Sequence, residues 1–457
     1  MSSGPDADHT FDVIVIGLGP GGEHVAGTLA ERGLRVLGVD RRLVGGECPY
    51  WGCIPSKMMI RAADALAEAR RVPDLAGTVG DVAPDWGLVA RRIREEATDN
   101  WDDRVAVDRL TGKGATFVRG TGVITGPGRV DVDGTAYTAT TGIVVNTGTT
   151  PAIPPIEGLA DVPYWTNHEI IEATELPASL VVLGGGAIGC ELSQAVSRFG
   201  TTVTVVEAAD RLLALEEPEA SAKVAEVFGA EGITVRTGVG ASKVEQRDGG
   251  VRVTLADGTH VDADRLLVAT GRRTDVKGVG LHHVGVAEDA RIAPVDDECR
   301  VTDGVWAIGD ITGKGAFTHV SMYQAGIVIR DVLGDDGPPA EYAALPRVTF
   351  TDPEVGAVGL TEATAREEFA NVRVGVTPLA ETTRGWIAKA DGLIKVVADA
   401  DSGLLVGATV VGPAGGEVLG ALAVAVHGKV PVERLRSMIY AYPTLHRGIE
   451  DALGRLA

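Results

Sequence analysis

Cysteine is scarce in this sequence, with four residues among 457. Two of them, Cys48 and Cys53, have four residues between them in the stretch GGECPYWGCIPSK, whereas Cys190 and Cys299 are isolated and are expected to be small buried residues. In a reducing compartment, a close cysteine pair is more often redox-active or metal-binding than structural. No further cluster of histidines and cysteines at ligand spacing accompanies the pair, so no metal site is expected and a redox role is favoured.

Basic residues and long apolar runs are also in short supply. The 42 lysines and arginines are outnumbered by 63 acidic residues, which gives a formal net charge of −21. A surface this acidic repels phosphate backbones, so nucleic acid is not an expected partner. No run of 18 apolar residues predicts a membrane span, and the polar start MSSGPDADHT lacks the features of a secretory signal. We therefore expect a cytoplasmic protein that does not bind membranes.

Glycine, in contrast, is abundant, with 61 residues, and its first cluster follows a short apolar run at residues 13–16. The run leads into Gly17-Leu18-Gly19-Pro20-Gly21-Gly22, then a helical pattern and a second apolar strand that ends at Asp40. Gly17 permits a tight turn, Gly19 lets the backbone approach a pyrophosphate, and Gly22 lets helix and strand pack closely. Asp40, 18 residues after Gly22, is placed to bind a ribose hydroxyl. The pattern predicts a dinucleotide site.

The same pattern returns in the middle of the chain. Gly184, Gly186 and Gly189 repeat the glycine spacing, and Glu207 ends the next strand 18 residues after the last of them. Two complete fingerprints, each between two strands, predict two dinucleotide sites.

Other strand and turn signals divide the rest of the chain. Two apolar strands end in Thr-Gly, at Thr147-Gly148 and Thr270-Gly271, and a later strand ends in Gly309-Asp310 before a loop and a helix. The stretch DDGPPAEY, residues 335–342, has the composition of a linker. Beyond it, strands with a few helices replace the alternating pattern, which predicts a separate α+β domain.

These motifs, in this order, resemble the class I pyridine nucleotide-disulfide oxidoreductases, which include dihydrolipoamide dehydrogenase and glutathione, mycothione and mercuric reductases. The resemblance runs over nearly the whole chain through the two fingerprints, GGECPYWGCIPSK, ATGRR, AIGD and TFTDPEVGAVGLTE. It implies an α/β fold with two Rossmann-like three-layer domains and a C-terminal α+β dimerisation domain that forms a homodimer. The implied divisions are an FAD-binding domain at 1–150, an NAD(P)H-binding domain at 151–275, a central region at 276–338 and an interface domain at 339–457.

The resemblance also implies roles for the residues around the cysteine pair. Cys53 would lie beside the flavin as the charge-transfer thiol, and Cys48 would exchange with substrate. Lys57, four residues after Cys53, and Glu191, just after the second fingerprint, would form the ion pair at the reactive edge of the flavin. Such a pair would keep a positive charge near the developing flavin anion.

Cofactor contacts follow from the same resemblance, with FAD at the first fingerprint, the nicotinamide nucleotide at the second and Asp310 on the FAD ribityl chain. A carboxylate at Glu207 accepts hydrogen bonds from a ribose 2′-hydroxyl and repels a 2′-phosphate, so NADH is favoured, while NADPH stays possible because Arg211 could contact a phosphate. The residues expected to contact a cofactor are Gly17, Gly19, Gly22, Asp40, Gly46, Lys57, Thr147, Gly148, Gly184, Gly186, Gly189, Glu207, Gly271, Gly309, Asp310 and His319.

The C-terminal segment departs from the family pattern. Family members that act on thiols and disulfides carry a His-Pro-Thr segment with a Glu five residues after the His, and here Tyr442 and Arg447 stand at those two positions. A tyrosine with its ordinary pKa of about 10 is a poor general base near neutral pH, although it can donate a hydrogen bond. His446 is a possible substitute. Mercuric reductases share the tyrosine but carry an additional C-terminal cysteine pair that this sequence lacks, so mercury reduction is not expected.

Taken together, the sequence predicts an FAD enzyme that passes electrons from NAD(P)H to a Cys48–Cys53 disulfide and on to a disulfide or dithiol substrate. One alternative is a quinone or other non-thiol reductase in which the flavin reacts directly. Another is a subunit of a larger dehydrogenase assembly, for which no lipoyl-type segment is visible.

Overall fold

The computed structural model describes residues 9–457, which form two compact units that each draw on three segments of the chain. The first unit comprises residues up to 56, 91–152 and 272–341, and the second comprises 57–90, 153–271 and 342–457. Within the described residues, no helix combines the length and the apolar character needed to cross a bilayer.

The first unit is built on an eight-stranded sheet whose central strand, Thr10–Ile16, pairs in parallel with Val36–Asp40 and Thr135–Val145. Val13 and Val15 are buried with one set of apolar residues, whereas Ile14 and Ile16 are buried with another. Successive side chains of a strand point to opposite faces, so this sheet is covered on both sides, as parallel sheets are. The remaining strands of the unit are Thr116–Arg119, Gly122–Gly126, Arg129–Val132, Arg300–Thr302 and Val305–Ala307, with a small pair of Thr150–Pro151 and Arg272–Arg273.

Helices of this unit follow its strands. Pro20–Glu31 begins directly after the first glycine cluster, with proline at its first position, where the missing N–H leaves no hydrogen bond unmade. Its side chains Val25 and Leu29 are buried in the same core as Val13 and Val15. Two helices carry the cysteine pair: Glu47–Tyr50 and Cys53–Leu75, the second of which continues into the other unit. The other helical elements are Ile93–Ala97, Asp99–Trp101, Arg104–Gly112, Leu281–Val284, Gly309–Thr312 and Thr318–Leu333.

The second unit contains three sheets. A four-stranded parallel sheet has the order Thr234–Arg236, Thr202–Val206, Ser179–Leu183, Arg265–Val268, and the antiparallel strands Ala241–Arg247, Gly250–Leu255 and His260–Ala263 form a smaller sheet. A five-stranded antiparallel sheet has the order Pro346–Thr349, Glu354–Gly359, Leu404–Gly412, Leu393–Asp399, Val372–Pro378. The helical elements are Leu159–Asp161, Asn167–Glu172, Trp86–Arg92 (which crosses into the first unit), Ala187–Arg198, Pro218–Ala230, Glu362–Glu368, Leu379–Glu381, Thr383–Ala388, Gly415–His427, Val432–Arg436 and Gly448–Gly454.

The predicted α/β class with two Rossmann-like sheets is confirmed. Each glycine cluster lies where a parallel strand ends and a 12-residue helix begins, Pro20–Glu31 in one unit and Ala187–Arg198 in the other. The change of pattern predicted after residue 342 corresponds to the antiparallel sheet that starts at Pro346.

Candidate active site

The first glycine cluster forms a cradle in which side chains have no room. Gly17 has φ +91°, and a Cβ atom there would lie 2.4 Å from the carbonyl oxygen of Asn146. A Cβ at Gly22 would lie 2.0 Å from the carbonyl oxygen of Gly17, and one at Gly46 would lie 2.8 Å from the Cα of Gly19. The helix that starts at Pro20 has no side-chain cap, and an uncapped helix N-terminus behind a glycine turn is typical of pyrophosphate sites. The residues present therefore fit a dinucleotide.

The acid at the end of the second strand closes this cradle. One carboxylate oxygen of Asp40 accepts a hydrogen bond from the backbone N–H of Leu18 at 2.7 Å, and the other accepts one from Arg42 at 2.7 Å. Burial raises the pKa of Asp40, and the two backbone hydrogen bonds oppose that rise. A carboxylate has about four lone-pair sites, so two are left for a ribose hydroxyl.

The second cluster repeats this geometry. Gly184 has φ +107° and its Cβ would meet the carbonyl oxygen of Ala269 at 2.3 Å, while a Cβ at Gly189 would lie 2.0 Å from the oxygen of Gly184. Glu207 accepts hydrogen bonds from the backbone N–H groups of Gly185 at 2.5 Å and Ala209 at 2.7 Å. The positions correspond to those around Asp40, with one N–H from the glycine turn and one from two residues past the acid. The residues of the second unit therefore also fit a dinucleotide.

Two other predicted cofactor residues of this second cradle have open surroundings. A Cβ at Gly186 or Gly271 would meet no atom within 4 Å, although φ at Gly271 is +113°. The guanidinium of Arg211, the residue that left NADPH open, donates to the carbonyl oxygens of Ala214 at 2.7 Å and Glu216 at 3.2 Å.

Asp310 belongs to a hydrogen-bonded chain that sequence reasoning did not foresee. Its carboxylate accepts a hydrogen bond from Thr149 Oγ1 at 2.7 Å, and that hydroxyl accepts one from Arg272 Nε, also at 2.7 Å. Arg272 also forms an ion pair with Glu47 at 3.4 Å, in the helix that carries Cys48. The chain therefore ties the predicted FAD acid to the cysteine segment. The only signal for Arg272 in the sequence is its place in ATGRR.

Other predicted FAD contacts surround a buried amide. Gly309 has φ +76°, and its Cβ would lie 2.9 Å from the side chain of Asn146, which directly precedes Thr147 and Gly148. The Asn146 amide lies 3.0 Å from the hydroxyl of Ser321. The ring of His319 stacks on that of Phe317, with centroids 5.1 Å apart. Asn146 was missed because nothing in the strand pattern marks it.

The two cysteines of the pair are free thiols at adjoining helix starts. Cys48 is the second residue of helix Glu47–Tyr50, and Cys53 is the first residue of helix Cys53–Leu75. Between them, a Cβ at Gly52 would lie 3.0 Å from the carbonyl oxygen of Glu47, so a larger residue would open the bend. Thiolates are favoured at helix N-termini.

A hydroxyl joins the two thiols. Cys53 Sγ lies 3.4 Å from Thr318 Oγ1, in the first turn of helix Thr318–Leu333. The hydrogen bond from Cys53, followed by burial, raises the pKa of Cys48, whereas the contact with Thr318 lowers it. Both thiols are therefore within reach of the Thr318 hydroxyl, and the thiol of Cys48 is held in its protonated form by its neighbour and by burial. No side-chain role of Thr318 was predicted from the sequence, and the structure brings its side chain to the cysteine pair.

The predicted ion pair of Lys57 and Glu191 is present within the second unit. Lys57 Nζ lies 2.7 Å from Glu191 Oε2, and the Glu191 side chain is 8% exposed. The other oxygen of Glu191 accepts a hydrogen bond from the Phe350 N–H at 2.8 Å, and Lys57 Nζ lies 4.5 Å from the Phe350 ring centroid. Phe350, in TFTDPEVGAVGLTE, therefore holds both members, a role that sequence reasoning missed.

The C-terminal segment separates Tyr442 and His446, the two residues predicted to act near the substrate. Tyr442 is 64% exposed, its hydroxyl lies 3.3 Å from Thr383 Oγ1, and the guanidinium carbon of Arg447 lies 5.2 Å from its ring centroid. The ring of His446 lies against Tyr440 instead, with centroids 6.0 Å apart. Within one chain, Tyr442 is the accessible one of the two candidates.

A cavity of about 490 Å³ opens beside the cysteine pair in the first unit. Its volume is typical of small-molecule sites. Cys48 and Thr318 contribute to its wall. Pro20, the first residue of the helix behind the first cradle, also lines the cavity, whereas Gly17, Gly19, Gly22, Asp40 and Asp310 do not. The lining residues are Pro20, Glu23, Val44, Gly45, Cys48, Pro49, Tyr50, Ala97, Thr98, Asp99, Asp102, Val105, Ala106, Arg109, Thr318 and Met322.

Comparison with known proteins connects both units to one family. The family described as pyridine nucleotide-disulphide oxidoreductase matches residues 11–325, and its dimerisation domain matches residues 345–453. The dihydrolipoyl dehydrogenase of Thermus scotoductus is 35% identical, and the mercuric reductase of Streptomyces lividans is 32% identical, each over 97% of this chain and 96% of the relative. Two solved structures are similar to this chain, each with a TM-score of 0.85 over 97% of this chain and 99% of the other chain. They are LpdA from Mycobacterium tuberculosis, with 27% identity, and the HOCl-induced flavoprotein disulfide reductase RclA from Escherichia coli, with 25% identity.

Proposed function

The chain belongs to the pyridine nucleotide-disulphide oxidoreductase family, and on that premise we propose that Cys48 and Cys53 are the cysteine pair through which it works. It is an FAD-dependent enzyme that uses NAD(P)H and delivers electrons to a disulfide-type substrate. The observation that carries the assignment of the pair is the hydrogen-bonded contact of the two thiols, shared with the Thr318 hydroxyl.

The two glycine cradles would hold the two nucleotides. The first, with Asp40, Asp310 and the glycines around Gly17, would hold FAD, and the second, with Glu207, would hold NADH in preference to NADPH. When bound, FAD supplies the two-electron carrier between the nicotinamide and the cysteine pair. The buried carboxylate of Glu191 keeps the Lys57 ammonium in one position, where its charge would favour negative charge on the reduced cofactor.

The thiols would act in sequence on the substrate disulfide. With both cysteines reduced, the Cys48 sulfur attacks one substrate sulfur, a mixed disulfide forms, and the first substrate thiolate leaves. The Cys53 thiolate then attacks Cys48, releases the second substrate thiolate and restores the Cys48–Cys53 disulfide. Two protons go to the two thiol products, and NAD(P)H supplies the electron pair. The helix start at Cys53 and the Thr318 hydroxyl stabilise the attacking thiolate.

Alkylation of the FAD-loaded enzyme tests the assignment. Oxidised protein treated with NADH under anaerobic conditions should gain two iodoacetamide adducts at Cys48 and Cys53, located by peptide mass spectrometry, and untreated protein should gain none there. Cys190, which is fully buried, serves as an internal control that should stay unmodified in both samples. Adducts that do not depend on NADH, or disulfide reduction by a Cys48→Ser, Cys53→Ser variant, would show that another route carries the electrons.

A second candidate is a quinone or other non-thiol acceptor. Tyr442 at the position of the family histidine favours it, because a non-thiol acceptor needs no general acid for a leaving thiolate. The same double serine variant separates the two functions: it should lose disulfide reduction under either proposal and keep NADH:quinone activity only under the second.

The oligomeric state, location and domain limits are also proposals. We propose a homodimer formed through the family dimerisation domain, because that part of the chain exposes large apolar side chains, among them Trp386 at 73%, Val424 at 69% and Ile439 at 96%. Light scattering should give twice the chain mass of 47.3 kDa. We also propose a cytoplasmic location and retain the limits at residues 150, 275 and 338.

A further inference from the structure

The cavity beside Cys48 has an unbalanced charge. Its charged lining residues are Glu23, Asp99, Asp102 and Arg109. The single cation is already neutralised, because Arg109 Nε donates to Glu23 Oε1 at 2.7 Å. Among the described ion pairs, none involves Asp99 or Asp102, although Asp102 accepts a hydrogen bond from the Arg104 backbone at 2.8 Å. The carboxylates of Asp99 and Asp102, which have no ion-pair partner among the described residues, therefore line the same cavity as Cys48, the thiol proposed to exchange with the substrate.

An unusual backbone turn sets the position of this acidic wall. Asp99, Asn100 and Trp101 follow one another in the left-handed region, with φ of 48°, 57° and 57°. Such a run without glycine is unfavourable and clusters at functional sites. The Trp101 Nε1–H donates to the carbonyl oxygen of Tyr50 at 3.2 Å, which fixes the turn against the helix that carries Cys48. The turn is thus tied to the cysteine segment, and Asp99 lines the same cavity as Cys48.

The electrostatic potential around the cavity is also negative. Burial, followed by the charges of Asp103 and Glu23, raises the pKa of Tyr50 to about 12. The formal net charge of the chain is −21, so anionic substrates are also repelled at long range. Arg447, the cation at the position of the family glutamate, is paired with Glu450 at 3.1 Å.

We propose that Asp99 and Asp102 are specificity-determining residues, and that the cavity accepts low-molecular-weight disulfides bearing amines or no charge while it discriminates against disulfides bearing carboxylates. The proposal rests on the proposed function, because Cys48 must be the thiol that attacks the substrate. The reaction balance is unchanged: one substrate disulfide bond is reduced to two thiols, and NAD(P)H is oxidised.

Three disulfides with a common skeleton test it: bis(2-aminoethyl), bis(2-hydroxyethyl) and bis(2-carboxyethyl) disulfide. Their kcat/KM values are measured with the FAD-loaded enzyme and NADH, and each is divided by the rate of the same compound with dithiothreitol to remove intrinsic reactivity. The normalised values should fall from amine to hydroxyl to carboxylate, with about tenfold or more between the ends of the series. Equal values, or a preference for the carboxylate, overturn the proposal.

Neutralising variants locate the effect. Asp99→Asn together with Asp102→Asn should bring the amine-to-carboxylate ratio close to one, and both asparagines keep an acceptor oxygen. Asp108→Asn, on helix Arg104–Gly112 but outside the cavity lining, is the matched control and should keep the wild-type ratio. An unchanged ratio in the double variant overturns the assignment of these two residues.

Two further readouts keep the result decisive. If the double variant does not fold, the wild-type salt dependence decides: added salt should lower kcat/KM for the amine and raise it for the carboxylate, and the reverse would refute the proposal. The proposed function fails separately, since it requires NADH-dependent alkylation of Cys48, whatever the charge preference of the substrates.

Discussion

Replacement of Lys395 by methionine should destabilise the second unit strongly. Lys395 lies in strand Leu393–Asp399 and its side chain is 2% exposed. Its ammonium is surrounded by three carboxylates, with Nζ 2.9 Å from Glu217, 2.8 Å from Glu219 and 2.9 Å from Glu362. Burial disfavours the charged lysine, but the hydrogen bonds that its ammonium donates to the three glutamates outweigh burial and raise the pKa of Lys395.

The size of the effect follows from which carboxylates can reach water. Removing one partner of a buried ion pair costs about 3–5 kcal/mol, because a charge is left without compensation. Glu219 and Glu362 are 41% and 30% exposed and can turn towards solvent, whereas Glu217 is 2% exposed and also accepts the Glu362 N–H at 2.6 Å. Only the Glu217 carboxylate would remain buried without a cation. We therefore expect the free energy of unfolding to fall by about 3 kcal/mol, near the lower end of that range.

Urea unfolding followed by circular dichroism measures this loss from the shift of the midpoint. Adding Glu217→Gln to Lys395→Met should recover more than half of the lost stability, because glutamine removes the buried charge and keeps an acceptor oxygen for the backbone N–H of Glu362. Lys223→Met is the matched control: Lys223 also pairs with two carboxylates, but these are 66% and 63% exposed, and its loss should stay below about 1 kcal/mol. If Lys395→Met costs no more than this control, or the double variant recovers nothing, the reasoning is wrong.

Three other variants test the nucleotide sites and the buried charges. Lys57→Ala should slow flavin reduction by NADH about 100-fold in a stopped-flow trace while FAD stays bound, and an unchanged rate would contradict the role of the pair. Glu207→Gln should raise the ratio of kcat/KM for NADPH to that for NADH about tenfold, and a wild-type enzyme that prefers NADPH would refute the NADH assignment. Burial raises the pKa of Asp64 to about 6, so the folded state binds its proton more tightly than the unfolded state, and this group's contribution to stability falls as pH rises from about 4 to 6. The free energy of unfolding of Asp64→Asn, relative to wild type, should therefore increase over that interval, and a flat difference would show that the pKa is not raised.

The parts of the molecule that the sequence predicts are those governed by local rules. The strand at Thr10–Ile16 and its glycine turn are visible because a buried strand and a turn with positive φ each need particular residue types. The acids Asp40 and Glu207 are visible because each ends a strand at a fixed distance from its glycine turn. Residues that act through tertiary register leave no such pattern: Thr149, Arg272 and Phe350 are ordinary residues in sequence, and only the folded chain brings them to Asp310 and Glu191.

The left-handed turn at residues 99–101 is invisible for a different reason. Positive φ is normally marked by glycine, and here the three positions are aspartate, asparagine and tryptophan. The first two are the residues that best tolerate this region, but they also occur in ordinary turns and loops. Tertiary contacts hold the turn, among them the hydrogen bond from Trp101 to Tyr50.

The proposals for Tyr442 and for the acidic cavity wall lead to the same kind of substrate. Under the proposed function, Tyr442 stands where family members carry a histidine and would not protonate a leaving thiolate, so substrates whose thiolates leave readily without protonation would be favoured. An ammonium close to a sulfur stabilises the thiolate and lowers the pKa of its thiol, which makes it a better leaving group, whereas a carboxylate has the opposite effect. The carboxylates of Asp99 and Asp102 select the same amines by charge. Taken together, the two proposals match the chain to disulfides that carry the needed positive charge themselves.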